Sequence, residues 1–419
     1  QRQMCIRDRE IDDLFRIKTI SRVEWQNADS IMIEELSMNR SQNDYNSVIY
    51  HFEPKSKSLK QYTMGLTKDS SLKLSFTRDK MAFLSNRLPN NKPQLFIMDL
   101  SGGEGIKYTS LPNGIISFAW SLDGKKIVLV HSLNMDEMRE EDEQEKEDEK
   151  KAYNELEEKI KKLTKEEREK QKVEPRIIKK IVYRKGTSYL TDRYQQVYLL
   201  DIESKKVKRI TSSEANYFSP VLSKDNSKIY ACKHLEKGSL NDEAYYALVE
   251  IDVKTKAEKE IKRFYSYNPS VVISSNGKYL IHHFSRTKEQ LSMRNLELNL
   301  INLETREEDW FTENYDNHAF MPKFSTDNQT VYFVSHENEK SVLYAYAIET
   351  KEIKQIISSD FMLYSYDVLE EKVALNVSTE SDPSVVMVYN MESKELEEIY
   401  ASNQKWLKDK ILAETTEIK

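Results

Sequence analysis

Two cysteines, Cys5 and Cys232, are all that 419 residues contain. That excludes a disulfide framework and a thiolate metal site, and it points to a reducing compartment. Glycine is scarce as well, with nine in all, and no two of them flank a serine as Gly-x-Ser-x-Gly. With no His-Gly-Gly either, the sequence lacks the nucleophile elbow and oxyanion loop of a serine hydrolase. No apolar run approaches the roughly 18 residues of a membrane span, and no apolar signal segment opens the chain. The expectation is a cytoplasmic protein without a membrane partner. Basic charge is not in excess, since 64 Lys and Arg stand against 70 Asp and Glu for a net charge of −6. That balance argues against nucleic acid, whose phosphates require a basic footprint.

The seven histidines suggest no metal site. His282 and His283 are the one close pair, but neighbours on a strand point to opposite faces and cannot converge on one ion. One core-facing and one exposed imidazole are expected, and no cofactor. Ser101–Gly105 (SGGEG) resembles a phosphate loop, yet no helix follows it and no Lys-Ser/Thr pair closes it, so it is expected to be a hairpin turn. Tyr245, Tyr246, Tyr344 and Tyr346 stand at strand spacing and are expected in the core.

Repetition fills the rest. Leu74–Asp79, Phe118–Gly124, Pro220–Asn226, Pro269–Gly277 and Pro322–Asn328 share one pattern: apolar, Ser or Thr, one residue, Asp or Asn, often Gly or Asn, then an apolar run such as Lys126–Val130 (KIVLV). Asp-Gly, Asn-Gly and Asp-Asn tolerate the positive φ of a tight hairpin, so each copy reads as two strands and a turn. A second hairpin follows each copy, an apolar strand ending in Asp-x-x-Ser/Thr or a variant, as in Val197–Ser204 and Ala247–Thr255. Units of four strands recurring every 45 to 50 residues or so indicate a β-propeller. We therefore expect an all-β fold, a seven-bladed β-propeller of four-stranded antiparallel blades over residues 11–405, each blade burying its faces against two neighbours.

One segment breaks the repeat. Residues 136–175 are rich in Glu and Lys and free of Gly, with Glu157/Lys161 and Glu158/Lys162 four apart in the favourable order. Tyr153, Leu156, Ile160 and Leu163 form a narrow apolar stripe, and Thr164 with Glu167 reads as a capping box that could start a second helix. A charged helical insert in the third blade follows, either a solvated arm or a lid over one opening of the propeller. Residues 1–10 show no apolar period and read as a non-native leader.

The Trp120-Ser-x-Asp-Gly-Lys125 hairpin, the return strand ending Arg209-Ile210-Thr211, and Arg176–Leu190 after the insert resemble the N-terminal propeller of the prolyl oligopeptidase family. Within that family they are most similar to the acylaminoacyl-peptidase and dipeptidyl-peptidase branch. The resemblance implies a propeller that gates and positions peptides for a C-terminal α/β-hydrolase domain holding Ser, Asp and His. The catalytic residues have no counterparts in this chain, and residues 406–419 read as the start of the linker. Tyr183, Arg184, Tyr189 and Arg193 match the family's Tyr-Arg-(Asp/Glu)-Gly-like segment and are implied as substrate-binding, an Arg there meeting a peptide carboxylate. Lys185 replaces the acid common in that segment, which favours a structural role. Partners implied are the hydrolase domain and peptides, and a homo-oligomer is compatible with the sequence. The alternatives are a free-standing TolB-like propeller used as an interaction scaffold, and a lactonase-like metal hydrolase, which would need inward Glu, Asn and Asp around one ion.

Overall fold

The computed structural model describes residues 10–88, 91–150, 184–185, 188–189, 193–235, 245–285, 295–338 and 340–412. Seven antiparallel sheets of four strands follow one another along the chain. They are blade 1 (Lys18–Gln61), blade 2 (Asp69–Lys107), blade 3 (Ile115–Arg209), blade 4 (Tyr217–Tyr265), blade 5 (Val271–Asp309), blade 6 (Phe320–Ser359) and blade 7 (Met362–Ala401). Strand order within each sheet is chain order, and the first strands of neighbouring blades meet around the central channel. No described helix is long and apolar enough to cross a membrane.

The repeated serine closes the inner hairpin of five blades. In blade 3 the Ser121 hydroxyl donates to Asp123 at 2.7 Å and accepts the Lys126 amide at 2.8 Å. Blades 4 and 6 repeat both bonds with Ser223 and Ser325. The residue after the Asp or Asn takes positive φ: Gly124 (67°), Asn226 (58°), Gly277 (73°) and Asn328 (61°). Gly, and less often Asn, enters that region without a Cβ clash. A Cβ on Gly124 would meet open space, whereas on Gly277 it would lie 2.5 Å from the Lys224 Cβ. Gly124→Ala is accordingly expected to lower stability by about 1 kcal/mol and Gly277→Ala by about 2–3 kcal/mol, read as urea midpoints.

Seven hydrophobic clusters form the core, and each lies between two blades. Leu84 and Leu95 of blade 2 pack on Phe118 and Leu129 of blade 3, and Ile31 and Phe52 of blade 1 pack on Ala374 and Val386 of blade 7. The other five clusters fill the remaining interfaces, so the ring is closed. A strand covered on both faces can be apolar at every position, which explains the unbroken run Ile127–Val130, every residue of it fully buried.

The same packing corrects the histidine expectation. His282 and His283 do point to opposite faces, but both faces are covered and both rings are buried. Burial lowers their pKa values to about 3 and about 4. Tyr245, Tyr246 and Tyr346 are buried as expected, while Tyr344 is half-buried. Ser101–Gly105 is a turn between the outer strands of blade 2.

The described part of the insert is one helix, α1 (Met135–Lys150). Asn134 caps it reciprocally: its Oδ1 accepts the Glu137 amide at 2.8 Å, and Glu137 Oε2 accepts the Asn134 amide at 2.9 Å. Met138 is buried in the cluster between blades 2 and 3. Buried Arg209 donates to the Met138 carbonyl at 3.0 Å and to Glu141 and Asp142. The first turns of the insert are thus fastened to its own blade. The stripe Tyr153–Leu163 and the Thr164 capping box lie outside the described residues.

Candidate functional site

Of the residues matched to the peptide-binding segment, Tyr183 lies outside the described residues. Arg184 and Tyr189 pair across a two-stranded ribbon, Arg184–Lys185 with Ser188–Tyr189. Arg193 lies at the base of the insert, where its guanidinium grips Glu137 with both nitrogens at 2.6 and 2.9 Å. Its geometry is the bidentate fork suited to a carboxylate, and the carboxylate it holds belongs to α1. Glu137 has its pKa lowered even though burial works against ionisation, because Asn134 and Arg193 donate to it.

Strands that alternate in direction sort the connections by end. At one end lie the turns between first and second, and between third and fourth, strands. At the other, here the loop end, lie the insert, the links between blades, the start of blade 1 and the finish of blade 7. Exposed apolar side chains divide unequally. Of fifteen such large residues, only Leu59, Phe76, Ile106 and Leu396 sit near the turn end. The loop end shows Met64 (75% exposed), Leu66 (72%), Tyr267 (59%) and Tyr364 (57%) among others.

The channel mouth at the turn end is charged on one side. Counting by strand register, the inner strands place Glu24, Lys73, Ala119, Val221, Val272, Lys323 and Asp367 at one level. Blades 6, 7, 1 and 2 supply Lys323, Asp367, Glu24 and Lys73, while blades 3 to 5 supply the apolar arc. Asp367 accepts from Lys323 at 2.9 Å, from Arg78 at 3.0 Å and from the Trp25 amide at 2.9 Å. Glu24 accepts from Arg22 at 3.3 Å and from the Leu74 amide at 2.8 Å. Burial works against ionisation of Asp367, but Lys323 and then Arg78 outweigh it and hold the carboxyl below its usual range.

Sequence reasoning missed this constellation, though one signal was present. Where the inner hairpins of blades 3 to 6 have Gly or Asn at positive φ, blade 2 has Arg78 at 57°. An Arg in that region costs about 1 kcal/mol or more, and here its side chain reaches the Trp25 carbonyl and Asp367, bracing blades 1 and 7. A shallow groove of about 630 Å³ over blade 1, lined by His51, Glu53 and Lys60 among others, is open to solvent.

No protein-family profile matches the chain. The uncharacterized peptidase YuxL of Bacillus subtilis is 26% identical over 189 residues, covering 45% of this chain and 25% of that protein. The acylaminoacyl peptidase of Pyrococcus horikoshii superposes with a TM-score of 0.70 at 13% identity, over 96% of this chain and 55% of its own. The β-propeller domain of the Trilobed protease from Pyrococcus furiosus, described as having an open velcro topology, gives 0.60 at 13% identity, over 92% of this chain and 99% of its own. The chain thus spans about half the length of the acylaminoacyl peptidase and a quarter of the curated relative. With seven blades of four strands and these neighbours, the chain carries the propeller fold of the acylaminoacyl peptidases.

Proposed function

We propose that this propeller is the non-catalytic part of a prolyl-oligopeptidase-type serine peptidase, gating and positioning peptides for a hydrolase domain outside this chain. The observation that carries the reading is the loop end, which holds the start of blade 1, the finish of blade 7, the anchored insert and eleven of the fifteen large exposed apolar side chains among the described residues. A hydrolase domain seated there would cover that apolar surface and face the channel. Rate control would then be steric: only a narrow, unfolded chain would reach the reacting groups, already oriented. In this scheme Tyr183, Arg184 and Tyr189 contact peptide, and Arg193, engaged by Glu137, sets the base of the insert beside them.

Reading the coding sequence beyond Lys419 tests the proposal. A His-Gly-Gly and a Gly-x-Ser-x-Gly in frame support it, and a stop codon within a few residues favours the interaction scaffold instead. The purified chain is expected to hydrolyse no chromogenic peptide. Product release blocked by a serine-directed inhibitor would overturn the reading.

A further inference from the structure

The charged side of the channel mouth is not neutral. Four cations, Arg22, Lys73, Arg78 and Lys323, stand against three carboxylates, Glu24, Asp367 and, one strand out, Glu34, which lies opposite Arg22 and accepts the Leu72 amide at 2.8 Å. Asp367 takes Lys323 and Arg78, and Glu24 takes Arg22. Lys73 is the cation left over: among the described residues its ammonium donates only to the Phe118 carbonyl, at 2.6 Å, and lies 5.3 Å from that residue's ring centre. Its own carbonyl is tied to the Trp120 indole at 3.0 Å, which fixes the strand beneath it. Lys73 is half-buried at the channel wall, and at the same level the uncharged arc of Ala119, Val221 and Val272 begins on the neighbouring blade 3 and runs round to blade 5.

We infer that Lys73, backed by Arg22 and Lys323, is an anion site at the turn-end mouth of the channel. Its ligand is an organic carboxylate with an apolar body, such as the C-terminus of a short peptide. A carboxylate supplies the counter-charge the arc lacks, and an apolar side chain one residue away reaches the uncharged arc. A fully hydrated inorganic anion would satisfy only the first half of the site. Burial lowers the Lys73 ammonium to about 8, with Arg22 adding to the effect, and Glu24 opposes it. A bound carboxylate favours the charged form, so binding is expected to weaken as pH rises through about 8. The site needs no hydrolase domain, so it stands or falls apart from the peptidase reading.

The test uses the purified chain, with N-acetyl-leucyl-leucine, its C-terminal amide, and inorganic phosphate as probes. Two readouts are taken: calorimetry, and the rate of Lys73 acetylation followed by mass spectrometry. The free acid is expected to bind and to slow Lys73 acetylation at least about fivefold, while the amide leaves it unchanged. Lys73→Met is expected to lose at least about tenfold in affinity for the acid, and Lys73→Arg to keep most of it. Equal protection by acid and amide, or Lys73→Met binding like the native chain, overturns the site. Phosphate binding as tightly as the acid overturns the apolar half of the assignment. Should Lys73→Met fail to fold, judged by its circular dichroism, the acid-against-amide comparison on the native chain decides alone.

Discussion

Asp367→Asn is expected to lower the unfolding free energy by about 2–3 kcal/mol, measured by urea titration at pH 7. The substitution keeps the shape of the side chain and an oxygen for the Trp25 amide, but it removes the charge that Lys323 and Arg78 share. Asp367 is buried while its two partners are roughly a third exposed, so water recovers part of the loss and the effect falls below that of a fully buried pair. A second change, Lys323→Met in the same chain, is expected to restore part of the stability by removing one uncompensated cation.

The pH dependence has a fixed sign. A carboxylate whose pKa is depressed on folding contributes stability that is present above its unfolded value of about 4, and that contribution is lost as pH falls through the folded value. The difference between the native chain and Asp367→Asn is therefore expected to be constant above about pH 5 and to shrink below pH 4. A difference that stays level down to pH 2 would show that the charge is not what holds blades 6, 7 and 1 together.

Asn403→Leu is expected to cost about 3 kcal/mol, because it opens the ring at its seam. Among the described residues no strand is exchanged between blades 7 and 1. The inner strand of blade 1 instead has its free edge occupied by side chains. Asn403 accepts the Lys18 amide at 2.9 Å and donates to the Lys18 carbonyl at 3.0 Å, as one residue of a neighbouring strand would. Its amide also donates to Asp382 at 3.0 Å. Ser384 accepts the Ile20 amide at 2.6 Å, and Asn376 donates to the Ile20 carbonyl at 2.8 Å. Asn403 is fully buried, so leucine leaves several polar groups without water or partner. Hydrogen exchange is the discriminating measurement. Amides of Lys18–Asn27 should exchange faster in the variant while those of blades 3 to 5 keep their protection. Uniform acceleration across all blades would mean that the seam does not open separately.

Blade number, hairpin positions and the helical start of the insert were legible in the chain because each rests on local chemistry. Ser121, Asp123 and Gly124 close their turn with bonds spanning five residues or fewer. Copies of that turn mark every inner hairpin from blade 2 to blade 6. The second strands are apolar at every position because a propeller covers both faces of a blade. The histidine pair was misjudged for the same reason: alternation was read correctly, but the second face was assumed to meet solvent. The reciprocal cap of α1 by Asn134 and Glu137 was missed, although the two stand three residues apart as a capping box does.

The channel mouth was not legible. Glu24, Lys73, Lys323 and Asp367 become neighbours only when seven registers are set and the ring is closed. The Trp25 amide and the Asp367 carboxylate that meet there are 342 residues apart in sequence. Sequence by itself determined that this chain makes four-stranded units and how many, since turn residues act on their own neighbours. Which charges share the channel, which surface is left apolar at the loop end, and which side chains seal the seam were decided by tertiary structure. Those outcomes depend on long-range register and closure, which no local pattern encodes.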